Sequence, residues 1–255
     1  MPEEMRSDGT IDALLRLMND VEIDKAVCFA PFSYQMAGST ISVDSNTWLA
    51  SILKGRPEFV GYGTLDPLLP PAPQVRQIAD LGFRGIKLHP PAQKFELFGS
   101  WARQAYAAME ESGLIADFHM GVHWHRLKDY NPLDCDEIAF HHPNLRMVFE
   151  HVGGWHFYRQ VLAVIVNNQG HGNHLYAGIA SVLDYENQRC WYLGTPGLNE
   201  CRWQIGSNLL IYGLDFPYNQ APQIRHDLET IRGLGWPPDE IAALLGGNIE
   251  RLHGS

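Results

Sequence analysis

The chain has 255 residues, of which 45% are hydrophobic and 19% are charged, and this composition excludes an intrinsically disordered protein. A formal net charge of -10 makes nucleic acid and anionic membranes poor partners, because affinity for phosphate groups depends on clustered Lys and Arg. No linker or low-complexity segment divides the sequence, so we predict a single barrel-sized domain over residues 1–255.

The four cysteines are widely spaced and form no CxxC pair, which favours reduced thiols over a zinc ribbon or a disulfide framework. The longest strongly apolar run, 161–166, is too short to span a bilayer. Residues 1–20 lack the charged-then-apolar order of a signal peptide. We therefore expect a cytoplasmic protein.

Strand-like apolar runs alternate with helix-like periodicity along the chain. Ile11, Leu14 and Met18 recur at helical spacing and predict a first helix over 11–21. We predict strands at 26–32, 59–66, 85–90, 114–121, 145–154, 175–182 and 209–218. We predict further helices at 47–54, 74–81, 100–112, 135–140, 158–167, 222–233, 238–245 and 248–253.

Strands that alternate with helices must pair in parallel, because each crossover needs a helix-length connection. The pattern therefore predicts an α/β protein with a TIM-like (β/α) barrel, a fold whose complete form has eight strands and places its chemistry at their carboxyl ends. The ends of the seven strands predicted here carry a set of polar side chains, namely Lys87, His89, His119, His151 and Asp215.

Neutral imidazole and carboxylate are ligands that suit zinc, iron or manganese, whereas magnesium and calcium prefer oxygen alone. Histidines with one aspartate thus favour a divalent transition metal, for which we expect zinc, with iron or manganese as alternatives. A bound metal lowers the pKa of its water to about 7, and a nearby carboxylate can then take the proton. Asp215 ends the apolar run 209–218 and is our candidate for this base.

Alternatives stay open for several of these residues. A single histidine at a strand end is more often a hydrogen-bonded structural group than a ligand. Lys87 could form a salt bridge in the barrel mouth or be a carboxylated lysine that bridges two metals. His89 could contact substrate, and His123 with His125 could bind metal or substrate, since alternate residues of an extended segment face one side.

Several aromatic and histidine residues lie in the predicted loops. Tryptophans that follow strands could form the wall of an apolar pocket, or they could serve as core residues of the loops. These tryptophans are Trp124, Trp155, Trp191 and Trp203, and we select Trp124 and Trp155 as candidate substrate contacts. We expect His141 and His142 to be capping or surface residues, and His171 and His174 to be solvated.

Five motifs occur in the order seen in the amidohydrolase superfamily, and the chain resembles its amidohydrolase-2 branch from about residue 23 to the C-terminus. The motifs are GIKLHP at 85–90, FHMG at 118–121, EHVGG at 150–154, GLDFP at 213–217 and GNIERL at 247–252. The resemblance implies a metal-dependent (β/α) barrel in which His119 and Asp215 bind metal. It also implies that His151 holds a second ion in binuclear members and that Lys87 bridges the pair.

The family normally opens with a first strand whose HxH pair supplies two metal ligands, and no histidine precedes His89 here. We therefore expect a barrel that is incomplete or distorted, with His123 and His125 as the available substitutes. A missing strand would leave two sheet edges unpaired, which favours association, so we predict a homodimer or higher oligomer.

The sequence thus supports three hypotheses. The first is a metal-dependent hydrolase of a small organic carbonyl compound such as an ester, thioester, lactone or amide, with Asp215 and His151 as catalytic residues. The second is a non-oxidative decarboxylase of an aromatic or unsaturated acid, since the amidohydrolase-2 branch also contains decarboxylases. The third is a degenerate barrel that binds a ligand or partner without catalysis.

Overall fold

The computed structural model describes residues 6–36, 39–171 and 174–254. Its seven strands form one parallel sheet in sequence order, from β1 at one edge to β7 at the other. The sheet curls into an open half-barrel, which confirms the predicted α/β TIM-like barrel. The strands are β1 (Ala26–Phe29), β2 (Phe59–Thr64), β3 (Gly85–Leu88), β4 (Ile115–His119), β5 (Met147–Glu150), β6 (Leu175–Gly178) and β7 (Leu210–Ile211).

Helices follow the strands and cover the outside of the sheet. The helices are α1 (Ile11–Val21), α2 (Ser45–Leu53), α3 (Pro71–Asp80), α4 (Pro90–Gln93), α5 (Ser100–Glu111), α6 (Asp134–His141), α7 (Gly154–Asn168), α8 (Gly194–Ile205), α9 (Ala221–Arg232), α10 (Pro238–Ala242) and α11 (Asn248–Gly254). Short helical turns at Ala243–Gly247 and elsewhere complete the connections. Helix α8 lies in a segment for which the sequence predicted no regular element, because its glycines and tryptophans hide the helical periodicity.

Local sequence explains how these layers pack. Thr10 caps α1 by accepting a hydrogen bond from the Ala13 amide, and Leu14 and Met18 face the core from that helix. Glycine in β2 lets α3 approach the sheet closely, since a Cβ atom at Gly63 would lie 2.7 Å from the Ile78 side chain. The core therefore sits between the sheet and its helices, and the polar residues cluster inside the barrel.

The two sheet edges differ. Asn248 donates its side-chain amide to the Leu210 carbonyl, and the Tyr212 amide donates to the Leu244 carbonyl, so the C-terminal segment covers the outer edge of β7. The amides of Ala26 and Ala30 both donate toward β2, which turns the backbone groups of the intervening Val27 and Phe29 away from it. Within the described residues neither β1 nor β7 has a strand on its outer side, as expected, but the C-terminal segment already bonds to the outer edge of β7. The predicted oligomer remains a prediction.

Helix α9 buries a carboxyl group behind β7. Asp227 is fully buried, its Oδ1 has no hydrogen-bond partner within the described chain, and its Oδ2 lies 3.5 Å from the Tyr212 hydroxyl. Burial raises the pKa of the Asp227 carboxyl from 3.8 to about 7. The folded protein thus holds this proton more tightly than the unfolded chain does.

An Asp227→Asn variant should therefore be more stable than the unmodified protein, and the difference in free energy of unfolding should grow as the pH rises. Because the folded pKa lies above the unfolded one, the contribution of Asp227 is fully present below about pH 4 and is lost as the pH approaches 7. The gain should reach the order of 4 kcal/mol at neutral pH. Urea unfolding of metal-free protein between pH 4 and pH 8 measures it, with the exposed Asp80→Asn as control. A gain independent of pH would contradict this assignment.

Candidate metal centre

A cavity of about 940 Å³ lies inside the half-barrel and along the gap between β1 and β7. Its wall includes every strand-end residue singled out from the sequence, and it also includes Asp117, Glu150 and Trp191. Apolar side chains of β1, β7 and nearby helices also line the cavity. The fold therefore collects the predicted polar residues in one chamber, as parallel strands with inward-facing carboxyl ends require.

Three histidines form a compact group in this chamber. His89 follows β3, His119 is the last residue of β4, and His123 lies on the loop after β4. One ring nitrogen of each can be chosen so that all three lie within 4.8 Å of one another, and this is the group of possible metal ligands found in the described chain. The His89 and His119 rings are 4.0 Å apart between centroids. His89 and His119 are buried, while His123 is exposed.

Hydrogen bonds leave lone pairs of this group free. The Nε2 atom of His119 donates to the Gly121 carbonyl at 2.8 Å, so its hydrogen is on Nε2 and Nδ1 keeps a lone pair. The Nε2 atom of His89 is buried without a hydrogen-bond partner in the described chain. A buried ring nitrogen without a partner lowers the stability of the folded protein unless a ligand binds it. A metal ion bound at Nε2 of His89 would explain why this atom has no partner among the described residues.

The protonation of the group also suits a cation. Burial, with the charge of Lys87 nearby, lowers the pKa of His89 to about 2. Burial likewise lowers the pKa of His119 well below its ordinary value and lowers that of His123. Neutral imidazole is the form that binds zinc, and three histidines with one open position form a known type of catalytic zinc site. The residues present therefore fit a transition metal.

Below the histidines lies a buried cluster of charges. Lys87 and Asp117 face each other in register on β3 and β4, and their side chains form an ion pair at 2.6 Å. Glu150, which ends β5, hydrogen-bonds with Asp117, and burial together with the Asp117 charge raises its pKa. Gly178 makes room for this group, because a Cβ atom there would lie 2.4 Å from the Glu150 carboxylate. The structure thus shows the salt bridge for Lys87, and its role as a metal bridge stays a prediction.

Asp215 lines the same chamber and has a left-handed backbone conformation, with φ of 53°. Its Oδ2 atom accepts a hydrogen bond of 2.7 Å from the hydroxyl of Ser181, a buried residue that also has a positive φ, of 57°. The side-chain amide of Asn219 donates to the Ser181 hydroxyl at 2.9 Å. Non-glycine residues with positive φ are strained and cluster at functional sites, which supports a role for this carboxylate.

His151 also lines the chamber, next to His119. It follows β5 in a short helical turn, instead of extending the predicted strand to residue 154. Its Nδ1 atom donates to the Ala180 carbonyl at 2.8 Å, which leaves a lone pair on Nε2. The Trp191 ring stacks on His151 with 4.2 Å between centroids. Ring centroids place His151 4.8 Å from His119.

The remaining candidate residues differ in whether they line the cavity. Trp191 lines the cavity, whereas Trp124 is 88% exposed and Trp155 is 62% exposed, and neither belongs to the cavity wall. Their assignment as substrate contacts stays a prediction. His125 lines the cavity, and its ring lies 5.7 Å from that of His89.

Three histidines that the sequence analysis placed outside the site, His141, His142 and His174, do not line the chamber. His142 is the C-cap of α6 and contacts Glu110, while His141 is exposed, as predicted. His174 is exposed, and the side chain of His171 lies outside the described part.

Asp117, Glu150 and Ser181 were not selected from the sequence. A signal for Asp117 existed, because it stands two residues before His119 on the same strand, and alternate residues share a face. Glu150 pairs in register with His119, which only the alignment of β4 with β5 reveals. Ser181 has no sequence signal, since its partner Asp215 is distant along the chain.

An open (β/α) barrel with a histidine-based candidate metal site at the carboxyl ends of its strands is the architecture of a metal-dependent enzyme. The sequence profile of the amidohydrolase-2 family, described as amidohydrolase, matches residues 8–254. The chain therefore belongs to this family, whose members are metal-dependent enzymes that include hydrolases and decarboxylases. None of the helices in residues 6–36, 39–171 and 174–254 is long and apolar enough to cross a membrane.

Solved structures show the same fold at low sequence identity. An uncharacterized TIM-barrel protein from Bordetella bronchiseptica is 20% identical with a TM-score of 0.75, over 95% of this chain and 82% of that one. A 5-carboxyvanillate decarboxylase from Novosphingobium aromaticivorans, solved with bound manganese, is 17% identical with a TM-score of 0.69, over 95% and 80%.

A probable 2-pyrone-4,6-dicarboxylic acid hydrolase from Acinetobacter baumannii is 12% identical with a TM-score of 0.68, over 96% of this chain and 89% of that one. At these identities the likeness shows the fold and leaves the reaction open. No curated protein matches the sequence.

Proposed function

We propose that the protein is a metal-dependent hydrolase of a small organic carbonyl compound, such as an ester, thioester, lactone or amide. The observation that carries this proposal is the group of three neutral histidines, His89, His119 and His123, in one chamber with Asp215. We assign the three histidines as metal ligands, with zinc as the expected ion and manganese or iron as alternatives. Further ligation by Asp215 and His151, which the family resemblance implies, stays open to the test below.

The bound metal would supply a water of lowered pKa and would polarise the carbonyl group. Hydrolysis joins the oxygen of water to the carbonyl carbon, breaks the bond to the leaving group, and moves one proton from water to that group. We assign the proton transfer to Asp215, whose Oδ2 is held by Ser181, so that Oδ1 is the oxygen that takes the proton. His151 offers Nε2 as a hydrogen-bond acceptor for the substrate or its leaving group.

A second candidate function is the non-oxidative decarboxylation of an aromatic or unsaturated carboxylic acid. Decarboxylation replaces a carboxylate on carbon by hydrogen, so it needs a proton donor that is still protonated near neutral pH. Glu150 is such a group, because burial and the adjacent Asp117 raise its pKa and its side chain reaches the cavity wall. Phe29 and Phe32 line the same cavity and could contact a planar ring.

An Asp215→Asn variant tests the hydrolase. The variant should keep its metal, measured by elemental analysis after loading with zinc or manganese, because the three histidines remain. Its turnover of esters, lactones and amides should fall about a hundredfold to ten-thousandfold, which is the usual contribution of a positioned base. The exposed Asp239→Asn is the matched control and should behave like the unmodified protein.

Each outcome has a distinct meaning. Full activity in Asp215→Asn removes this residue as the base, and loss of metal makes it a ligand. Release of carbon dioxide from a panel of carboxylic acids, without hydrolysis of the esters, replaces the hydrolase by the decarboxylase. Unmodified protein that takes up no zinc, manganese or iron excludes both enzymes and leaves a non-catalytic barrel.

A further inference from the structure

Trp191 contacts two parts of the candidate metal centre, the loop that carries His123 and the ring of His151. It lies on the segment that joins β6 to α8, and its indole nitrogen donates a hydrogen bond of 2.8 Å to the Val122 carbonyl. Val122 is the residue between Gly121 and His123, on the loop that carries one proposed ligand. On its other side the indole ring stacks on His151, with an angle of 24° between the ring planes.

The packing around the indole is close. A Cβ atom at Gly121 would lie 2.9 Å from the indole nitrogen, and one at Gly154 would lie 2.9 Å from Cδ1 of the same ring. Real Cβ atoms do not approach other heavy atoms so closely, so a side chain at either glycine would move the indole. The ring is therefore wedged between the turn after β4 and the start of α7.

We infer that Trp191 is a positioning residue that holds the turn 119–123 in the shape needed for metal binding. This inference rests on the proposed metal centre. His123 is exposed and belongs to no helix or strand, so two hydrogen bonds hold the loop that carries its ring. The Trp191 indole donates to the carbonyl of the neighbouring Val122, and the His123 amide donates to the Tyr130 hydroxyl at 2.9 Å. The same turn contains the Gly121 carbonyl that fixes the His119 ring. Trp191 thus acts on two of the three ligands through the backbone between them.

The energetic reason is preorganisation. A metal ion that binds a mobile loop must order it, and the entropy lost on ordering subtracts from the binding free energy. A hydrogen bond made before the ion arrives removes part of this cost. Groups that orient metal ligands without touching the ion typically change metal affinity by about 10-fold to 100-fold when they are replaced.

The test is the zinc affinity of a Trp191→Phe variant, measured by competition with a chromophoric chelator. Phenylalanine keeps an aromatic ring against His151 but cannot donate to the Val122 carbonyl. We expect zinc affinity to fall about tenfold or more, while the far-ultraviolet circular dichroism is unchanged. The visible spectrum of the cobalt(II)-loaded variant should also change, because the coordination geometry of a loosened ligand changes. Trp203→Phe, at a position 80% exposed on α8, is the matched control and should bind zinc normally.

A second variant tests the inference if Trp191→Phe does not fold. Gly121→Ala places a methyl group against the indole nitrogen and should weaken zinc binding in the same direction. If Trp191→Phe, or Gly121→Ala where the first does not fold, binds zinc and cobalt as the unmodified protein does, the inference is overturned and the proposed function stands. If the unmodified protein binds no metal, the proposed function and this inference both fall.

Discussion

A His119→Ala variant should lose its bound metal and its turnover together. His119 stands at the centre of the histidine group, with its ring next to those of both His89 and His151. Removing it leaves two ligands, one of them on a loop, so metal affinity should fall by more than the roughly 100-fold that loss of an indirect partner costs. Competition titration and elemental analysis measure the affinity, and turnover on the ester panel should drop to the metal-free level.

His141→Ala is the matched control for that variant. His141 is an exposed histidine on α6 whose ring lies 3.8 Å from Glu137, far from the chamber. Its loss should change neither metal content nor turnover. If His119→Ala retained a full equivalent of zinc, the three-histidine assignment would be wrong, and the ligands implied by the family resemblance would have to hold the ion without it.

A Lys87→Met variant should be severely destabilised. The Lys87 side chain is 10% exposed and that of Asp117 is 4% exposed, so removing the cation leaves an uncompensated carboxylate inside the barrel. Breaking a buried ion pair in this way typically costs about 3–5 kcal/mol. Urea unfolding at neutral pH measures the loss.

Two further variants make the Lys87 result specific. Lys25→Met breaks the exposed pair with Glu250 and should change stability little, since exposed ion pairs are screened by solvent. Lys87→Met combined with Asp117→Leu removes both charges and should recover much of the loss. The metal content of Lys87→Met decides the other alternative, because a bridging lysine would take a metal ion with it. Unchanged stability with fewer metal ions would refute the structural role.

The fold and the location of the site could be predicted from the sequence, because both depend on local patterns. Apolar runs separated by helical periodicity fix the order of the elements, and parallel strands place their last residues at one end of the barrel. On this basis the sequence predicted that His119, His151 and Asp215 lie close together at the carboxyl ends of the strands. The strand ends were less accurate, since the predicted strand at 209–218 contains only the two residues of β7, and Asp215 lies in a turn beyond it.

The ligand group could not be predicted in full, because it depends on contacts between distant parts of the chain. His123 approaches His89 and His119 through a loop that is bonded to Tyr130 and to Trp191, and Trp191 is 69 positions from its partner Val122. The burial of His89 Nε2 likewise depends on how β3, β4 and the loops after them pack. Spacing alone identified His123 and His125 as substitutes, and it could not say which of them faces the other histidines.

The two edges of the sheet differ in how easily a further strand could be added. An extended chain, from a second copy or another source, could add hydrogen bonds at β1 through the outward backbone groups of Val27 and Phe29. At β7 it would first have to displace Asn248 and Leu244 from their bonds to Leu210 and Tyr212. The open edge of the half-barrel at β1 is therefore the easier place to add a strand, because addition at β7 would first break existing hydrogen bonds.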